Sequence, residues 1–163
     1  MLIDLQTTFS GTTAVDGTKT AQGPITATQI STNVVDLRAA GITAGLPALA
    51  DESVGGFGSS TTLNVRSVQA FNSLTSLTIT LESDSAPGLA TAPVVHYSKT
   101  ILLAALGANQ ELVRVVLPSD DYKRYLGLRY TVNGVAPTTG SLLAFCVETP
   151  QRTVNYPNGF FVA

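Results

Sequence analysis

Charge is scarce in this chain. Asp, Glu, Lys and Arg make up 12% of it, about half of the ~25% usual in a soluble domain. Trp is absent, and His, Cys and Met occur once each. A lone Cys146 excludes an internal disulfide and a multi-cysteine zinc site. A lone His96 excludes a His-rich metal centre. No apolar run approaches the ~20 residues of a membrane helix; the longest candidate, Ile101 to Leu106, is far too short. The nine Lys and Arg are scattered, apart from Lys123-Arg124 and nearby Arg129. With a formal net charge of -2 and a pI of about 5.2, the basic patch of a nucleic-acid scaffold is missing. The opening Met1-Leu2-Ile3-Asp4 has neither the basic region nor the apolar stretch of a signal peptide. The expectation is a chain made and kept in a cytoplasm, with no nucleic-acid or membrane partner.

Hydrophobic residues reach 44%, and mean hydropathy is +0.27. Thr, Ser, Asn, Gln and Gly fill the polar positions that charges usually take. Such side chains lose less on leaving water than charges do, so they face a partner as readily as solvent. This composition suits a protein pressed against other subunits better than a free-diffusing enzyme. At 163 residues one domain is the default, and it can bury roughly 70% of its unfolded surface without staples.

The chain reads as β almost throughout. Leu77, Ile79 and Leu81 alternate with Thr78, Thr80 and Glu82, the period of a strand with one buried face. Leu126, Leu128, Tyr130 and Val132 alternate with Gly127, Arg129 and Thr131 in the same way, and Val113, Val115 and Leu117 form a third set. Further strands are expected at Asn33 to Leu37, Leu63 to Phe71, Val94 to Leu103 and Gly140 to Thr149, with one or two more between Leu2 and Ile30. That gives about eight strands, spaced as in an antiparallel β-sandwich. The Ile101 to Gln110 segment is read as continuing strand in preference to helix. Asn133-Gly134 tolerates the positive φ of a hairpin turn, and Asp84-Ser85-Ala86-Pro87-Gly88 closes the strand before it. A long Gly-rich loop is expected over residues 39–62 and a C-terminal tail over 150–163, in a single domain spanning 1–163. In Leu142 to Val147 both faces are apolar, so the strand lies under a loop of the same chain or against another subunit.

Chemistry is sparse. His96 has no carboxylate near it in sequence, and Ser98, two residues away, makes a dyad on paper only; His96 reads as an ordinary strand histidine. Asp84, Glu111, Asp120 and Asp121 lack the regular spacing of a calcium loop, and Asp120-Asp121 reads as a solvated turn. Cys146 in an apolar strand behaves as a small hydrophobe. Gly55-Gly56-Phe57-Gly58 is not followed by Lys-Ser/Thr, which removes the phosphate-loop reading. No catalytic residue, cofactor or metal ligand is assigned, and the chain is read as a non-enzyme. The tail is more suggestive: Tyr156, Phe160 and Phe161 lie close together, and aromatic residues anchor protein interfaces. They either fold back on their own sandwich or dock on a neighbour.

The ordered set of motifs resembles a family. Met1-Leu2-Ile3-Asp4-Leu5-Gln6, Phe9-Ser10 and Ser31-Thr32-Asn33-Val34-Val35-Asp36-Leu37 resemble the start of the capsid cement, or decoration, proteins of short-tailed bacteriophages. Arg124 to Val132, then Pro137-Thr138-Thr139-Gly140, resemble their closing strands, with Leu77 to Asp84 and Val113 to Pro118 similar in order and spacing. The resemblance implies a β jelly roll on the outside of a virion capsid, bridging neighbouring major capsid subunits. Gly11 to Thr28 and Ala39 to Thr62 look longer than that pattern, and the segment beyond Gln151 looks added. Phe9, Tyr156, Phe160 and Phe161 are the candidate interface residues. The expected partners are the major capsid protein and a second copy of the chain, a dimer in preference to a trimer. A carbohydrate-binding jelly-roll module of a virion fibre or lectin is the alternative, though such sites commonly use Trp.

Overall fold

The computed structural model describes residues 8–13, 19–37, 61–118, 120 and 122–148. Among them are eleven strands: β1 (Thr8–Ser10), β2 (Thr12–Thr13), β3 (Lys19–Thr20), β4 (Gln29–Ile30), β5 (Val35–Asp36), β6 (Thr61–Gln69), β7 (Leu74–Asp84), β8 (Val94–Leu102), β9 (Glu111–Val116), β10 (Tyr125–Gly134) and β11 (Ser141–Glu148). No α-helix occurs among the described residues. One sheet runs β1-β11-β6-β9; the other runs β4-β10-β7-β8, with β5 also on β10. All pairings are antiparallel. Counting β4 and β5 as one interrupted strand, each sheet holds four positions in the order 1-8-3-6 and 2-7-4-5. That interleaving, in which every connection but β7–β8 crosses between the sheets, is the jelly roll. The β2–β3 hairpin is an addition to it.

The period-two pattern explains why the sheets face each other. Leu77, Ile79 and Leu81 of β7 stand opposite Val132, Tyr130 and Leu128 of β10. Leu63 and Val65 of β6 stand opposite Cys146 and Ala144. Phe9, Leu63, Val65, Leu77, Ile79, Leu81, Leu126, Leu128 and Tyr130 are all fully or nearly fully buried in one core. Each large apolar side chain removed from water there contributes about 1.5–3 kcal/mol. Tyr130 carries a hydroxyl into this core and meets Ser10 Oγ at 2.6 Å, joining the two sheets. Burial pushes the Tyr130 phenol well above its ordinary range, with the Ser10 contact opposing weakly.

Several expectations change in detail. The described residues between Leu2 and Ile30 hold four short strands, not one or two. The 39–62 loop is shorter at its end, because Thr61 and Thr62 already pair with Glu148 and Val147 in β6; residues 39–60 lie outside the described residues. After Leu102 the chain does not continue as strand. It makes a 3-10 turn at Leu103–Ala105, which lets Leu106 turn back into the core. Asn133-Gly134 does not close a hairpin. Gly134 has a φ of 92°, and the chain crosses there to β11 in the opposite sheet. Asn133 Nδ2 instead donates to Ser76 Oγ and Thr78 Oγ1.

Candidate functional site

The two sides of the sandwich differ. On the β1 side, Asn33 N–H donates to Phe9 O at 2.8 Å and Asn33 Nδ2 to Thr8 O at 2.9 Å. Gln22 Nε2 donates to Ile30 O, and Gln22 Oε1 accepts from Thr32 N–H, both at 2.9 Å. Side chains and loop backbone therefore cap this flank. On the other flank β8 and β9 are sheet edges, with no partner strand beyond them among the described residues. Lys99 Nζ reaches from β8 to Leu112 O of β9 at 2.8 Å and ties the two edges together. Around that tie stand exposed apolar side chains: Val94, Val95 and Leu102 on β8, and Val116 on β9 at 54% exposure. An unpaired strand edge with apolar side chains is a ready template for another chain.

One end of this flank is fastened by a polar cluster that the sequence did not reveal. His96 Nε2 lies 2.7 Å from Ser83 Oγ, and His96 Nδ1 lies 2.6 Å from Asp120 Oδ2. Ser98, the neighbour considered for a dyad, is exposed on the strand and takes no part. A bulge between Leu81 and Glu82 shifts the register at this point of β8 and brings His96 against Ser83. The Tyr122 ring packs on the imidazole with centroids 4.2 Å apart, and its hydroxyl donates to Pro118 O at 2.6 Å. Burial first, then the nearby Asp120 and Cys146, push the Tyr122 phenol up to about 12.

Ser, His and Asp in this order form the relay of a serine hydrolase, but Ser83 is placed where no substrate reaches it. Ser83 is 0% exposed, and its Oγ already accepts the Lys123 backbone N–H at 3.0 Å. A nucleophile must meet a carbonyl carbon; this hydroxyl meets only protein. The arrangement holds Asp120, Tyr122 and Lys123 to β7 and β8. Lys123 Nζ adds a further contact to Ala92 O. Asp120, read from sequence as a solvated turn, has a half-exposed side chain that serves as the outer end of this fastening.

Other sequence candidates fall elsewhere. Phe9 is 0% exposed and sits in the core, where its ring is unavailable to a partner surface. Tyr156, Phe160 and Phe161 lie outside the described residues. Asp84 closes β7 and turns its carboxylate onto the following loop, accepting from Ser85, Thr91 and Ala92 N–H. Cys146 is buried, and burial pushes its thiol up to about 12, far from the thiolate chemistry of a reactive cysteine. Among the described residues no three His, Cys, Asp or Glu side chains gather as a metal cluster.

The fold and its open flank define a compact jelly-roll protein with apolar sheet edges. A family model named Bbp16 matches residues 18–146, most of the 163-residue chain. The chain belongs to the Bbp16 family, whose name is associated with phages. No curated protein matches it.

Proposed function

We propose that this protein is a capsid decoration protein, bound to the outside of a phage shell and bridging neighbouring major capsid subunits. The observation that carries the reading is the β8–β9 flank, where Val94, Val95, Leu102 and Val116 stand exposed beside strand edges that no other described strand pairs. The phage-associated family, the jelly-roll topology and the resemblance to cement proteins support the same reading. Low charge helps, because uncharged surfaces lose little when pressed together. The mechanism is binding alone. Each contact is modest, and apolar burial at ~25 cal/mol per Å² sums over many symmetry-related copies. A subunit held at two points also rebinds before it escapes.

The partners in this reading are the major capsid protein and a second copy of the chain, paired about a twofold axis in preference to a trimer. No reaction is assigned to the Ser83–His96–Asp120 cluster. The test is to assemble particles with and without the protein and heat them while following release of their contents. Particles lacking it should assemble and then leak at a lower temperature. An unchanged release temperature would reject the reading.

A further inference from the structure

The two strand edges of the β8–β9 flank are guarded unequally. β9 is six residues long and carries exposed Glu111 and Arg114, whose charged groups lie 4.0 Å apart. Charges on an edge discourage another strand from pairing there. β8 runs nine residues, from Val94 to Leu102, and is exposed along most of its length. It contains no proline, and its one Lys, Arg, Asp or Glu is Lys99. His96 is turned to Ser83 and Asp120. Lys99 stands opposite Ile79 of β7 and so points to the inner side of the sheet. An inward lysine can itself guard an edge, but this ammonium is already engaged by Leu112 O of its own chain. Among the described strands only β7 pairs with β8, which leaves its outer edge open.

The order of residues along β8 supplies a second, independent observation, because it reads alike from both ends. Val94-Val95 forms one end, Ile101-Leu102 the other, and Ser98 stands at the centre. Val94, Val95 and Leu102 are all exposed. Two copies of β8 laid antiparallel about Ser98 bring Leu102 of each beside Val94 and Val95 of the other. The exposed apolar side chains at both ends are then covered together. Ser98 meets Ser98, and Lys99 meets Tyr97 of the second copy, so no like charges stand opposite each other. A strand of unrelated sequence has no reason to match both ends. The chain's own β8 does so by symmetry, as a twofold contact requires.

We propose that two copies of this chain join by antiparallel pairing of their β8 edges about Ser98, so that the two five-stranded sheets become one continuous sheet. The inference rests on the twofold pairing in the proposed function and names the contact that makes it; it does not need the shell. A nine-residue edge is ~30 Å long, and one sheet layer is ~10 Å deep. Each copy therefore buries well under the ~800 Å² per partner of a standard interface. The free protein is a dimer that comes apart on dilution.

Ser98 is exposed, so a Ser98→Cys variant of the full-length protein should fold. Its thiols in two paired copies lie opposite each other, ~5 Å apart at Cα, which is within disulfide reach. Oxidised glutathione should therefore convert most of the concentrated protein to a disulfide-linked dimer. Thr100→Cys lies at least four residues out of register with its own copy, ~14 Å away, and should cross-link several-fold less. Wild type, whose Cys146 is buried, should stay unlinked. Ser98→Lys sets like charges at the centre and should sediment as a monomer at concentrations where wild type is dimeric. Equal cross-linking by Ser98→Cys and Thr100→Cys would overturn the proposal, as would wild type sedimenting as a monomer at every concentration. Stronger cross-linking by Val116→Cys would move the contact to β9 and also overturn it. All of these are read on free protein, so they can fail while the particle-heating test succeeds, or succeed while it fails.

Discussion

Asp84 shows how one side chain can hold a loop. It is buried at the end of β7 and accepts from the backbone of Ser85, Thr91 and Ala92. Burial alone would raise its pKa. The backbone donors at Thr91, Ser85 and Ala92, with the Ser85 hydroxyl, outweigh that and hold the carboxyl below its ordinary 3.8. A folded value below the unfolded one means the carboxylate stabilises the fold above the unfolded value, about pH 4. That contribution drains away as pH falls through the folded value. Asp84→Asn should therefore melt lower than wild type at neutral pH, and the gap should narrow below about pH 4. Melting curves across an acid series check this, and a constant gap would contradict it. His96 is the second residue with a clear consequence. Replacing it by Ala strips partners from Ser83 and Asp120 and removes the stack on Tyr122. A cost of about 1–3 kcal/mol is expected, read by chemical denaturation. A fluorophosphonate should leave wild-type Ser83 unlabelled because nothing reaches its hydroxyl; labelling that His96→Ala abolished would make the cluster catalytic.

Among the elements, β8 combines edge position with apolar exposure. Val95 and Leu102 are 52% and 65% exposed, so a Val95→Lys, Leu102→Lys double variant should change stability by no more than about 1 kcal/mol. In the capsid reading the same variant should lose occupancy on particles, because charge is placed on a surface meant to leave water. Sedimentation with shells measures this, and full occupancy would remove β8 from the interface. Long elements were legible because their pattern is local. Leu77–Ile79–Leu81 and Leu126–Leu128–Tyr130 declare a buried face by alternation alone, and both are in the core. What stayed hidden depended on contacts far apart in sequence. Ser83, His96 and Asp120 come together through a bulge and a sheet pairing that no spacing encodes. Phe9 looked available because a short N-terminal strand gives no alternation to read, yet it is fully buried. The short strands β2 to β5 carry two residues each, too few for any period.

At the scale of the molecule, the two sheets meet through apolar packing, with Tyr130 to Ser10 as a polar link inside the core and Lys99 to Leu112 O as one at the edges. Tyr130→Phe keeps the ring and leaves the buried Ser10 hydroxyl without its tyrosine partner. A loss of about 1–3 kcal/mol is expected, with unchanged far-UV circular dichroism; a neutral result would mean that Ser10 finds another partner. The uneven flanks have a further consequence. Among the described residues, Asn33 and Gln22 occupy carbonyls of Thr8 and Ile30 on the β1 and β4 side, while the β8 and β9 edges lie together on the other. A sheet open at opposite ends can be extended copy after copy into a fibre. One with its openings on a single flank is used up when that flank meets its like, and growth halts at a pair. In the capsid reading, the side chain of Asn33 would thus act as a chain terminator, keeping an apolar, weakly charged protein from polymerising before it meets a shell.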